Sequence, residues 1–201
     1  MPGKPLKTPP LFILRHGQTE WNLAGRLQGS LDSPLTSQGI QQAETQSRLL
    51  TAVFQEFAQV DVFVSPLGRA QQTAKIALAP HGIDAIVDAR LAEVDAGDFQ
   101  RKTHKDIEKE WPDIVERCAD DFSFYLNAPN GEGEAQLRGR CLSFLNSLTK
   151  PSVLITHGIT STMLRGLACN LSFLEMRALP HTQGCIFRIS GGEEVILKEA
   201  K

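Results

Sequence analysis

The chain has 201 residues, of which 41% are apolar and 22% charged, ordinary globular proportions that exclude an intrinsically disordered protein. Lysine and arginine total 21 against 23 aspartates and glutamates, a formal charge of −2, so no global basic field exists to make nucleic acid or an anionic membrane the main partner. No apolar run approaches the roughly 18 residues that a membrane span needs.

Residues 1–10 contain Pro2, Pro5, Pro9 and Pro10 and read as a flexible, extended tail with no stretch apolar enough for a secretory signal. Residues 11–201 read as one domain. Leu11–Leu14, Asp61–Val64 and Ser152–Ile155 have the length and residue types of buried strands. Thr36 is a candidate N-cap for a helix whose apolar stripe runs through Ile40, Ala43, Leu50, Phe54 and Phe57, with Ser47 filling one step. Ser65-Pro66 predicts the start of a second helix that stops near Pro80. Leu137, Cys141, Phe144 and Leu148 form another helical stripe, and Met163, Leu164 and Leu167 the last. Ile186–Ile189 and Val195–Leu197 flank Gly191-Gly192 and predict a terminal hairpin. The stretch at about 98–132 has charged helical patches, Pro112, and apolar Ile107, Ile114, Val115, Phe122 and Leu126; it reads as a helical insertion covering the site. The expected fold is therefore α/β: a three-layer sandwich with a mostly parallel central sheet, helices on both faces and a helical cap. Cys118, Cys141, Cys169 and Cys185 lie far apart with no C-x-x-C pair, which fits buried thiols in a reducing, cytoplasmic compartment better than a disulfide frame or a zinc site.

In sheets of this kind ligands bind beyond the carboxyl ends of the strands. The three runs lead there into Arg15-His16-Gly17, Ser65-Pro66-Leu67-Gly68-Arg69 and Thr156-His157-Gly158. Two histidines and two arginines thus meet at one edge. Arginine presents a fork matched to phosphate oxygens, and histidine can act as a nucleophile. Helix N-termini after Gly17 and Gly158 would add N–H donors. Arg69 falls in a first helical turn, where a cation is mildly disfavoured unless an anion is near. The set points to phosphoryl transfer through a phosphohistidine, with arginines rather than a metal stabilising charge. The competing chemistry, a metal held by His16 and His157, would place a dication beside two arginines and has no adjacent carboxylate in sequence. No metal or cofactor is expected.

L-F-I-L-R-H-G-Q-T-E-W-N resembles the signature of the histidine phosphatase superfamily, the phosphoglycerate-mutase-like enzymes. The resemblance continues in order through D-S-P-L-T-S-Q-G-I-Q-Q-A, S-P-L-G-R-A-Q-Q-T-A, L-A-E-V-D-A-G-D-F, P-N-G-E-G and I-T-H-G. It implies that His16 accepts the phosphoryl group, that Arg15, Arg69, His157 and Gly158 complete the phosphate pocket, that Asn22 supports the phosphate, and that Glu93 donates a proton to the leaving group. The chain departs from the family pattern at Phe99-Gln100-Arg101, where W-E-G is usual, and at Gly131-Glu132-Gly133, where G-E-S is usual.

The function expected is a phosphomonoesterase acting on a small phosphorylated metabolite. The alternative is a cofactor-dependent phosphoglycerate mutase. Mutases of this family carry a longer insertion rich in tyrosine and arginine, whereas this chain has one tyrosine, Tyr125. A catalytically silent binding module is a third reading, which the complete set of His16, Arg69, Glu93 and His157 opposes. Trp21 and Trp111 read as packing anchors, His81 and His104 as solvated, and His181, in L-P-H-T-Q-G, as either structural or close to the site.

Overall fold

The structure, a computed structural model, describes residues 6–118 and 120–199. Residues 1–5 of the proline-rich segment lie outside the described residues; residues 6–10 form neither helix nor strand, and Leu6 packs against the core.

Six strands form one sheet in the order β3-β2-β4-β1-β5-β6. They are β1 (Leu11–Arg15), β2 (Asp61–Val64), β3 (Ile86–Val87), β4 (Ser152–Thr156), β5 (Ile186–Ser190) and β6 (Glu193–Leu197). The first four pair in parallel, and β5 runs antiparallel to both β1 and β6. The fold is thus α/β with a mostly parallel sheet. Alternation along the strands makes the two faces. Leu11, Ile13 and Leu154 pack with α7 (Gly133–Ser147) and α8 (Gly158–Ala168). Phe12, Leu14, Val62, Val64, Val153 and Ile155 pack with α2 (Ser37–Glu56) and α3 (Gly68–Leu78). Successive strand residues point to opposite faces, so continuous apolar strands require a helical layer on each side.

Thr36 caps α2 as predicted, accepting from the Gly39 N–H at 3.1 Å. Ile40, placed in the buried stripe, is instead 37% exposed, and Val53, outside that stripe, is buried. Ser65-Pro66 does not open α3: the N-cap is Leu67, and Ser65 Oγ accepts from the Leu67 N–H at 3.2 Å in a turn before the helix. The acceptor at the start of α3 is Asp32, whose carboxylate takes the N–H groups of Gly68 (2.7 Å) and Arg69 (3.2 Å). Gly17 does not begin a helix either; the short α1 (Glu20–Leu23) starts later and is capped by Thr19. His81 is half-buried, edge-on to Phe54 at 4.9 Å, not solvated.

Between Gly97 and Gly133 lie α4 (His104–Glu110), α5 (Pro112–Arg117) and α6 (Asp121–Leu126). This segment has its own small core around Phe99, Ile107 and Phe124, with Trp111 packed on it. Phe122 and Leu126 face the other way and join the main core beside α7 and α8. The insertion is therefore anchored by α6. The hairpin is held by Arg165 of α8, 1% exposed, which makes a two-pronged pair with Glu194 at 2.6 and 2.7 Å and lies over the Phe187 ring. Among the described residues no helix is long and apolar enough to cross a membrane.

Candidate active site

β2, β4 and β1 are neighbours, so the residues that follow them are brought together. The His16 N–H donates to the Thr156 carbonyl (2.9 Å) and the Ser65 N–H to that of Ile155 (3.0 Å), extending the ladders by one step. His16, Ser65 and His157 consequently emerge side by side. The His16 and His157 ring centroids are 5.1 Å apart, and His16, Arg69 and His157 are each at most 2% exposed.

Two hydrogen bonds set the His16 tautomer. Nδ1 lies 2.7 Å from the Gly17 carbonyl, which can only accept, so Nδ1 carries the proton. Arg69 Nε donates to Nε2 at 3.2 Å, which requires a lone pair there. Burial first, then Arg69 and Arg15, hold the His16 pKa well below its ordinary value, so the imidazole is neutral. A neutral ring whose Nε2 bears a lone pair is the form that can attack phosphorus once Arg69 Nε releases it.

Arg69 is bound to the loop after α1: Nη1 donates to the Leu31 carbonyl (2.5 Å) and Asp32 Oδ1 (2.9 Å), and Nη2 to the Gly29 carbonyl (2.9 Å). Asp32 is thus an anion that offsets this cation at a helix start. Arg15 Nη1 donates to the His181 carbonyl (2.7 Å), while its buried Nε has no partner. Burial lowers the Arg15 pKa. Gly158 opens α8 directly against this guanidinium; an added Cβ would lie 3.4 Å from Arg15 Cζ.

His157 is the N-cap of α8, and its Nε2 lies 2.6 Å from Ser65 Oγ. With the Ser65 hydroxyl donating to Nε2, the single N–H of the neutral ring lies on Nδ1. Nδ1 is buried with no partner. Burial, then Arg69, hold the His157 pKa well below its ordinary value. Arg15, next to His16 in the chain, and His157, with its ring 5.1 Å away, thus each have a buried nitrogen without a partner, Arg15 Nε and His157 Nδ1. Such groups cost on the order of 1–3 kcal/mol each unless a ligand satisfies them, and an oxyanion would satisfy both.

Glu93 sits at the N-terminus of α8. Oε1 accepts from the N–H groups of Val94 (3.0 Å) and Thr160 (3.0 Å) and lies 3.1 Å from the Thr160 hydroxyl, whose proton goes to the Ala92 carbonyl at 2.7 Å; Oε2 accepts from the Ile159 N–H (3.1 Å). Arg15, Glu93, Gly158 and Ile159 line one cleft together with Asp121, Tyr125 and His181. Asn22 stands further back: its Oδ1 accepts from the Thr19 N–H (3.2 Å) and lies 3.5 Å from Gln183 Nε2, which donates to the His16 carbonyl (2.9 Å). His181 reaches the site through its backbone and its ring, with Nδ1 3.4 Å from Thr162 Oγ1. His104 does not reach it; it stacks on Phe124. Ser65, Asp121 and Tyr125 are the neighbours that sequence reasoning missed. Ser65 was hidden by its resemblance to a helix cap, and the other two by their distance along the chain. No group of three or more His, Cys, Asp or Glu placed to hold a metal ion exists among the described residues.

Comparison with known proteins places this geometry. The model of the histidine phosphatase superfamily (branch 1) matches residues 11–198. A curated relative from Proteus mirabilis named "Probable phosphoglycerate mutase GpmB" is 33% identical over 171 residues, 81% of this chain and 73% of that protein. Among solved structures, Bacillus stearothermophilus YhfR superposes with a TM-score of 0.79 at 28% identity, covering 95% of this chain and 96% of that one. The mycobacterial glucosyl-3-phosphoglycerate phosphatase, solved with VO3, gives 0.74 at 28% identity, covering 95% and 97%. With the match running from the first strand to the last and the paired histidines at its centre, the chain belongs to branch 1 of the histidine phosphatase superfamily.

Proposed function

We propose that the protein is a phosphomonoesterase that works through a phosphohistidine on His16. The observation that carries this reading is the tautomer: Nδ1 is tied to a carbonyl and Nε2 is left with the lone pair, held by Arg69, while the neighbouring Arg15 and His157 each have a buried nitrogen without a partner. A phosphoryl group bound there has its charge met by Arg15, Arg69 and His157. Arg69 Nε gives up its hydrogen bond to Nε2, Nε2 forms a bond to phosphorus as the bond to the ester oxygen breaks, and Glu93 gives that oxygen a proton. Water then attacks the phosphohistidine, Glu93 takes the water proton, and inorganic phosphate leaves with His16 restored. Arginines supply the charge stabilisation that other phosphoryl-transfer enzymes draw from magnesium, so the reaction as proposed routes no step through a metal.

The relatives named as mutases keep a second reading in view: transfer of the phosphoryl group back to a phosphoglycerate instead of to water. The experiment that separates them follows free phosphate and the 2-phospho isomer in parallel, with 3-phosphoglycerate plus 2,3-bisphosphoglycerate and with a panel of phosphate esters, each with and without EDTA. Phosphate release that survives EDTA and vanishes in His16→Ala is the expected result. Rapid isomer formation with little phosphate makes the mutase reading correct, and full activity in His16→Ala removes the phosphohistidine mechanism.

A further inference from the structure

Beyond the phosphoryl group, the cleft must accommodate an alcohol. That side is formed by one face of α6, where Asp121 and Tyr125 stand one helical turn apart, facing Glu93 and His181 across the cleft. Its formal charges are two carboxyl groups and one guanidinium, and the guanidinium, Arg15, belongs to the phosphoryl group. Burial raises the Tyr125 pKa, so it is a neutral phenol that can donate or accept. The His181 pKa is lowered by burial and by Arg15, so it adds no positive charge near neutrality. Arg177, at the end of a short helix over Phe173–Arg177, is turned to Asp120 at 2.5 Å. The other nearby cation-former is His104, whose Nε2 lies 3.8 Å from Asp121 Oδ1.

We propose that this wall selects phosphate esters of neutral, hydroxyl-bearing alcohols over esters whose alcohol carries a carboxylate, and that Asp121 is the residue that sets the preference. Hydroxyl groups can donate to Asp121 and Glu93 and exchange hydrogen bonds with Tyr125. A carboxylate in the same position meets the like charge of Asp121, Glu93 being protonated when it serves as proton donor, and no free cation among the cleft residues, and such juxtaposition is how sites reject the wrong partner. The inference rests on the cleft being the ester-binding site of the phosphomonoesterase reading. The side chain of Asp121 is 65% exposed, so solvent screening keeps its effect moderate.

The test uses two probes that differ only in this group, glycerol 1-phosphate and 3-phosphoglycerate. Both are titrated calorimetrically at about pH 8, where histidines are uncharged, into the turnover-deficient His16→Ala variant and into His16→Ala carrying Asp121→Asn. Glycerol 1-phosphate is expected to bind about three- to tenfold tighter, the size of one partly solvated charge contact, with Asp121→Asn drawing the ratio toward one. Equal affinities, preference for 3-phosphoglycerate, a ratio unmoved by Asp121→Asn, or no binding of either probe overturns the inference. Binding discrimination by His16→Ala alongside a wild type that releases no phosphate from any ester would instead leave the selectivity standing and remove the phosphatase reading.

Discussion

Glu93 shows how a single residue can be tied to both chemistry and structure. Its Oε1 accepts from two backbone N–H groups, whereas Oε2 accepts one hydrogen bond and keeps a position for a proton. Glu93→Gln is therefore not a silent removal of the proton. If the amide oxygen takes the two N–H groups on Oε1, the amide nitrogen must face the Ile159 N–H, donor against donor. That mismatch costs about 1–3 kcal/mol of stability, measurable by thermal or denaturant unfolding. The catalytic loss has a different signature. Proton donation is worth roughly 10²–10⁴ in rate when the leaving group is a poor one such as a sugar alkoxide. It matters much less for para-nitrophenolate. Glu93→Gln is expected to slow alkyl phosphate hydrolysis by that factor and aryl phosphate hydrolysis distinctly less. Equal slowing of both would make Glu93 a positioning residue for α8, and no slowing would remove it from the mechanism.

At the scale of elements, the loop that carries His16 is pressed against the first turn of α2 by two glycines. A Cβ on Gly39 would lie 2.1 Å from the Gln18 carbonyl oxygen, and one on Gly17 would lie 2.2 Å from that of Gly39. Thr36 fastens the same contact, its N–H donating to the Gln18 carbonyl at 2.9 Å. Gly39→Ala must displace backbone rather than a flexible side chain, so it is expected to cost about 1–3 kcal/mol and to lower kcat by shifting His16. Gly139, mid-helix in α7 with nothing within 4 Å of its added Cβ, is the control: Gly139→Ala should stabilise by up to about 1 kcal/mol with activity unchanged. Equal melting temperatures for the two variants would mean that the contact yields. The same elements mark what is legible in the sequence. β1, β2 and β4 announce themselves as apolar runs, and the hairpin as a glycine pair between two such runs. With the strand ends placed, Arg15, His16 and His157 follow, because a parallel sheet delivers them to one edge. β3 has two residues at the sheet edge, both exposed, and too few to show a period. Phe122 and Leu126 have a helical spacing that identifies a buried face, but spacing cannot say whether that face meets the cap core or the main core. Asp121, Tyr125 and His181 reach the cleft through contacts between distant segments, which no local pattern encodes.

For the molecule as a whole, burying two neutral imidazoles at the end of the central strands makes stability depend on pH. The folded-state pKa values of His16 and His157 lie well below the ordinary value because burial, then Arg69, disfavours their charged forms. In the unfolded chain each takes up a proton near pH 6.5, about the ordinary histidine value. Between that pH and the lower folded pKa the unfolded state binds more protons, so stability rises with pH and is lost as pH falls below about 6.5. Each histidine contributes a slope of at most about 1.4 kcal/mol per pH unit, or about 3 for the two. Asp88, Asp106 and Asp120 also have lowered pKa values, but their losses begin only near the ordinary carboxylate range, about pH 4. The window from about pH 6.5 down to 5 thus belongs mainly to the histidines, with a smaller share from His181. Denaturant unfolding across that window should give a steadily falling free energy for the wild type, and His157→Gln should remove about one proton from the slope whatever it does to stability at neutral pH. A flat wild-type profile would mean that both rings take up protons in the fold as readily as in the unfolded chain. That would contradict the lone pair on His16 Nε2, because a protonated ring could not accept the Arg69 hydrogen bond.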